Sequence, residues 1–399
     1  MSSLNNDAFE AGRVYKSSGA IPFNLLRSPI YHAWERSHLQ GANPCALQAE
    51  KLSSLDTERL VEQNSHLIAA VRPYFRLLSQ AAGQDRHAVM LGDRHAIVLD
   101  MVGDEQTVNG PEAVPGIGSL LSEAVAGANG LGTPLAAENY VEIVAAEHFI
   151  QGFNQFTCQG IPLRNDKKEI VGVLGISLQR PDTRQRLKEI LLCASGGIEA
   201  QLLIANLQDD IRRVLTSNSQ EYQPLEELRQ DIIQAHQAAR LKLEIGSRMV
   251  AVNRLDYAMQ LLQKAEKSIQ IFRHRAEVWR NLASLEIGTV QAVSLTDSIR
   301  DLVDLLSTEA SIRKLEVVTY WQEPITVAAD SRSLLRKLFR YFLQAFESAD
   351  RGGTVEVVVS RMLNSDLAQV NFIPISVLNI DQSEHTQYTF SLPIANKNL

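Results

Sequence analysis

Leu255, Leu262, Ile269, Ala276 and Ala283 recur every seven residues, and Ala258, Ala265, Phe272 and Trp279 recur at the same interval, offset by three. Together they form a narrow apolar seam four heptads long, flanked by Gln, Lys, Arg and Glu. A strand would throw alternate members of this set to opposite faces, so the stretch must be one long helix. Such a helix either packs on its own domain or pairs with a second copy. A seam this narrow and sustained suits helix-on-helix pairing, which predicts a homodimer through 255–286. Helical spacing continues on the N-terminal side, so 206–290 is expected to be a helical bundle.

Upstream, the apolar period changes. Ala88–Leu91 and Ala96–Leu99 flank Gly92-Asp93-Arg94, the pattern of a β-hairpin. Residues 140–145 and 156–163 predict two more strands, and the unbroken apolar run 170–177 a further one. A helix is expected over Leu55–Leu78, capped by Asp56, and another from Thr183 to Leu207. This order predicts an α+β fold, an antiparallel sheet with helices packed on one face. Residues 1–20 are polar and are expected to be flexible. Beyond 290, helices are predicted over 295–306 and 333–348. Strands are predicted over 315–320, 354–359, 370–378 and 388–392.

Composition narrows the function classes. Hydrophobic residues make up 45% of the chain and charged ones 21%, ordinary for a globular protein. The formal net charge is −7 and no basic stripe is present, which argues against nucleic-acid binding. Cys45, Cys158 and Cys193 are far apart and form no C-x-x-C pair, so neither a disulfide framework nor a zinc site is expected. No run of 18 apolar residues occurs, so no membrane span is expected. The polar opening MSSLNNDAFEAGR lacks the apolar core of a signal peptide. These features fit a cytoplasmic protein, and nothing implies a metal or cofactor.

Residues 109–133 are rich in glycine. Gly127-Ala128-Asn129-Gly130-Leu131-Gly132-Thr133 is neither G-x-G-x-x-G nor a P-loop, because no Lys follows. Its context says more. Arg27-Ser28-Pro29-Ile30, Ala33-Trp34-Glu35-Arg36 and Gly41-Ala42-Asn43-Pro44 open an ordered series of landmarks. Val102-Gly103-Asp104, Gly118 through Leu135, Glu147-His148-Phe149, Thr157-Cys158-Gln159-Gly160-Ile161-Pro162 and Val171-Gly172-Val173-Leu174 continue it. The series resembles the N-terminal sensory domain of sigma-54-dependent activators of the acetoin-catabolism-regulator type. That family's signature Trp is Leu121 here, and a Thr is Ala128. The resemblance implies a GAF fold binding an unknown small-molecule ligand. Ser122, Glu123, Asn129, Thr133, His148 and Cys158 are the polar ligand-binding candidates. Each has a bland alternative, holding loops through backbone hydrogen bonds. His148 and Cys158 also raise the idea of a nucleophilic pair, without any evident third group to orient them.

The activators that share this sensor continue into a P-loop ATPase and a helix-turn-helix, and neither pattern occurs here. The C-terminal half instead resembles a sensor histidine kinase core, entered at Val293-Ser294-Leu295-Thr296, with Asp330-Ser331-Arg332-Ser333-Leu334 matching its D-x-x-x-L turn. Arg340 and Gln344 stand where that family has two asparagines, and no glycine follows Gly353. A cation and a longer amide cannot offer the metal-binding oxygen of the second asparagine. The stretch Val370–Thr389 is also short for the nucleotide lid. The resemblance therefore implies a degenerate, non-catalytic kinase-like domain, a truncated α/β sandwich. His236 stands where a phosphoacceptor is expected, but lacks the adjacent acid that acts as base.

The expected layout is a flexible segment at 1–20, a sensor at 21–205, a dimerising bundle at 206–290 and a kinase-like domain at 291–399. The expected role is a regulator that passes a signal by contact to a histidine kinase, a response regulator or a transcription factor. An active kinase phosphorylated on His236 and a direct transcription regulator are the alternatives.

Overall fold

The computed structural model describes residues 3–395 apart from 84, 111–113, 166, 180–183, 218, 253, 285–287, 363–364 and 377–386. The chain divides into two compact units, one built from 1–203 and 236–270, the other from 204–235 and 271–399. The helical stretch 206–290 is thus divided between the two.

The first unit opens on α1 (Ser3–Ser18), where the sequence predicts a flexible segment. Ala8, Ala11 and Tyr15 lie on one face of this helix and are buried, which docks an otherwise polar stretch. Tyr15 stands edge-on to Trp34, with ring centroids 5.8 Å apart. Trp34 belongs to α2 (Ser28–Leu39), which turns Ile30, Ala33 and Trp34 inward. The single helix expected over 55–78 is two, α3 (Ser54–Gln63) and α4 (Ser65–Ala82). Asn64 separates them, its side-chain amide donating to the Leu60 carbonyl at 2.8 Å. The cap of α3 is Ser53, whose hydroxyl accepts from the Asp56 backbone N–H, rather than Asp56 itself.

Five strands follow: β1 (His87–Asp93), β2 (Val98–Gly103), β3 (Val141–Val144), β4 (Thr157–Arg164) and β5 (Ile170–Leu178). They form one antiparallel sheet in the order β2-β1-β5-β4-β3. The two strongest apolar runs, β1 and β5, lie side by side in it. Side chains alternate across the sheet with period two. Val89, Leu91, Leu174 and Ile176 share a core with Val71 and Leu78 of α4. Ala88, Met90 and Val173 join Trp34, Leu131 and Phe149 in a second core. Both faces are therefore covered, not one as the sequence predicts. This explains why β1 is buried along its whole length, with Ala88 through Leu91 apolar rather than alternating. The long connection from β2 to β3 carries α5 (Glu105–Asn109), α6 (Glu123–Ala126) and α7 (Gly132–Ala137).

Three long helices come next: α8 (Arg184–Ser217), α9 (Ser219–Ala251) and α10 (Leu255–Ala283). α10 carries the heptad seam, and the seam is occupied from within the chain. In the first unit Ala258, Leu262 and Ala265 join the core of α4 and Leu191 of α8. In the second unit Trp279 is fully buried and its indole N–H donates to the Leu225 carbonyl at 2.8 Å.

The second unit continues with β6 (Gln291–Ser294), α11 (Leu295–Leu305), α12 (Ser307–Arg313), β7 (Glu316–Tyr320), β8 (Thr326–Ala329), α13 (Ser331–Ser348), β9 (Thr354–Arg361), β10 (Leu367–Ile375) and β11 (Tyr388–Pro393). A four-stranded sheet has the order β11-β10-β9-β7, with β7 parallel to β9. β6 and β8 form a separate antiparallel pair. α13 starts at Asp330, whose carboxylate accepts from the Arg332 and Ser333 N–H groups. Its Phe342 packs edge-on against Phe372 of β10, centroids 4.9 Å apart. The stretch Val370–Thr389 lies partly outside the described residues, at 377–386. Among the described residues no helix is long and apolar enough to cross a membrane.

Candidate functional site

Asn129 is the hub of the glycine-rich segment. It is buried, and all four hydrogen-bonding positions of its side-chain amide are used. It donates to the Leu121 and Gly127 carbonyls, both at 2.7 Å, and accepts from the Leu131 and Gly132 N–H groups, both at 2.9 Å. Thr133 is equally committed, its hydroxyl accepting from the Asn129 N–H at 3.0 Å. The glycines beside Asn129 are required by what lies over them. Gly127 has φ +58, and a Cβ there would run into the Phe149 ring. A Cβ on Gly130 would come within 2.5 Å of the Cys158 Cβ.

Four landmark residues form two ion pairs. Arg36 of α2 binds the buried Glu123 carboxylate through both oxygens, at 2.6 and 2.9 Å. Arg27, just before α2, grips both oxygens of the buried Glu147 and also donates to the Glu142 carbonyl at 2.9 Å. Trp34 adds an indole bond to the Glu147 carbonyl at 2.8 Å. These bonds tie α2 to the sheet unit, and bidentate guanidinium–carboxylate geometry is the strongest way to do so. Glu123 is therefore engaged in holding α2. Ser122 precedes α6 at its cap position, half-buried, with no side-chain capping bond.

His148 and Cys158 differ from the rest. Burial pushes the His148 imidazole down to about 4, so the ring is neutral at neutral pH. Its Nδ1 lies 2.9 Å from the Ala145 carbonyl, which sets Nδ1 as the protonated nitrogen. The buried Nε2 is then a bare acceptor, with no hydrogen-bond partner among the described residues. Burial pushes the Cys158 thiol up to about 12, against a weaker opposing effect of the Ser177 hydroxyl 3.1 Å away. A thiol that burial holds protonated is not an activated nucleophile. The structure does not join it to His148 by a hydrogen bond. Of the six candidates, His148 alone presents a fully buried polar atom left unused.

Residues 4–199 match the family described as MimR, N-terminal domain. The propane 2-monooxygenase operon transcriptional activator MimR of Mycolicibacterium smegmatis is 24% identical over 304 residues, covering 73% of this chain and 48% of that protein. A signal-transduction and transcriptional-control protein of Clostridium beijerinckii is 25% identical over 154 residues, covering 38% of this chain and 24% of that protein. The matches thus span from a quarter to a half of these relatives' own length. The solved E. coli DhaR(N)-DhaL complex overlaps 48% of this chain and 66% of its own at 18% identity, with a TM-score of 0.44.

The remaining sequence candidates lie elsewhere. His236 sits on α9 at 2% exposure, and burial, with Arg240 adding to it, pushes its imidazole down to about 4. Arg340 and Gln344 are exposed on α13. Sequence reasoning assigned no role to Arg27 and Arg36, although both lie in or beside the quoted landmarks. It also missed a cleft of about 270 Å³ between the start of α2 and β3. Lys188 of α8 stands there over the Tyr140 ring, 5.1 Å from its centroid. The one available signal was the pairing of basic residues at 27 and 36 with acids at 147 and 123, too distant in sequence to connect.

Proposed function

We propose that residues 21–205 are a GAF-type sensor of a small molecule and that the chain is a regulator of transcription. The observation that carries this is the match of residues 4–199 to the N-terminal domain of a transcriptional activator. The matched residues fold as an antiparallel sheet covered on both faces. His148 supports a ligand that donates a hydrogen bond. A neutral imidazole whose Nε2 is an unused acceptor suits a small uncharged molecule bearing a hydroxyl group.

Residues 291–399 act as a non-catalytic, kinase-like surface, and their partner is a histidine kinase, a response regulator or a transcription factor. The homodimer through 255–286 belongs to the same proposal. Because the seam is occupied, pairing uses the outer side of α10, where Tyr257 and Ile271 are exposed. Light scattering tests this part directly, and a monomeric mass removes it.

The sensor is tested on the purified full chain with a panel of small alcohols, diols and ketones, read by thermal shift and native mass spectrometry. A hydroxyl-bearing compound should raise the melting temperature saturably in the wild type and not in His148→Phe. Absence of any saturable ligand, with no co-purified mass, would sink the sensor reading.

A further inference from the structure

A second cleft in the first unit, about 340 Å³ in volume, lies between α4 and α9 and contains none of the residues assigned above. α4 supplies Arg72, Arg76 and Gln80, and α9 supplies Arg240 and Glu244. Arg72 also binds Asp100 at 3.0 Å, and Glu244 binds Arg248 at 2.6 Å. Three guanidiniums and one carboxylate therefore line one small cleft, in a chain whose formal charge is −7. A local excess of two positive charges repels itself in the absence of an anion. The same excess matches one dianion.

The residue type narrows the anion further. All the cations are arginines, whose planar fork meets phosphate oxygens two at a time. The volume is at the lower end for small-molecule sites, enough for a phosphate group with a short organic tail. Pro73 and Leu77 supply the apolar wall such a tail needs. We propose that the cleft binds a dianionic phosphate group, either free or carried on a small metabolite. Its position gives the binding a consequence. α4 is fixed to the sheet through Val71 and Leu78, and α9 shares that core through Leu243 and Val250. A phosphate held by arginines of both helices adds a polar tie, on the surface, between two helices that already share that core. This site does not depend on the sensor reading of residues 21–205, and its test uses neither that ligand nor His148.

The full chain is titrated calorimetrically with inorganic phosphate and with glycerol phosphate at constant ionic strength, with sodium chloride and sodium citrate as comparison arms. Saturable heat is expected from a phosphate-bearing probe. Arg76→Gln and Arg240→Gln should each weaken it about tenfold, the loss of one charge-assisted bond. Arg94→Gln, on the exposed β1–β2 turn, should leave it unchanged. Saturation by glycerol phosphate alone assigns the ligand to a metabolite, and saturation by inorganic phosphate alone or by both assigns it to the free group. Lack of saturable heat overturns the proposal, as does citrate binding as tightly as phosphate. An equal loss in Arg94→Gln overturns it too. Melting curves of each variant, expected to match the wild type, separate lost binding from lost folding.

Discussion

Asn129 shows how one side chain fixes a loop that would otherwise have to be described as merely glycine-rich. Its two donors and two acceptor positions each meet a backbone group inside the unit. Replacing it by alanine strands two carbonyls and two N–H groups away from water. We expect Asn129→Ala to cost about 3 kcal/mol or more, measured by urea unfolding. Asn129→Asp should be no better at neutral pH, because its second oxygen faces two carbonyls. The two buried histidines predict a pH dependence. His148 and His236 are held near 4 in the folded chain, against about 6.5 when unfolded. Between those values the unfolded chain takes up protons that the folded chain does not. Stability is therefore full above pH 6.5 and is lost as pH falls toward 4, by up to about 3 kcal/mol per histidine. His148→Phe should flatten the profile of unfolding free energy against pH, and an unchanged slope would contradict the burial of a neutral ring. Asn129 and His148 were both legible as candidates in the sequence. Their opposite fates were not, because only the surrounding backbone decides whether a polar atom is used.

Among the elements, α2 is held by charge as much as by packing. Arg36 and Glu123 are 87 residues apart in sequence, and Arg27 and Glu147 are 120 apart. Both carboxylates are almost wholly buried, so removing either arginine leaves a charge with no partner. We expect Arg36→Met to destabilise the fold by about 3 kcal/mol, and Arg36→Met with Glu123→Gln to recover part of that loss. If the double variant is as unstable as the sum of the two single ones, the pair is not coupled and the clamp does not exist. Elements were legible where apolar pattern was strong. β1 and β5 were visible because uninterrupted apolar runs have few other uses in a chain of this composition. β6 and β8 were not, because Gln291-Ala292-Val293-Ser294 and Thr326-Val327-Ala328-Ala329 are short and nearly featureless. α1 escaped notice because two alanines and a tyrosine suffice to bury its inner face.

Across the whole chain, the heptad seam predicted a long helix, which α10 is, and a second copy as its partner, where residues of the same chain cover the seam. Seven-residue spacing fixes the width of an apolar stripe on a helix, but says nothing about which chain covers it. Here Leu262 and Trp279 are covered by residues of their own chain, in the first and second unit respectively. The same distinction applies to output. A helix with a histidine near the expected place does not make a phosphoacceptor unless the ring can be reached. His236 is 2% exposed, with burial holding its imidazole neutral. On α13, Arg340 and Gln344 present a cation and a long amide at the surface, not a pair of asparagines. Both observations support the proposed non-catalytic reading of residues 291–399. Incubating the purified full chain with magnesium and ATP labelled on the γ-phosphate should leave no base-stable, acid-labile label on the protein. A label that appears in the wild type and disappears in His236→Gln would establish the opposite. It would require α9 to open far enough to expose a side chain now packed in the first unit.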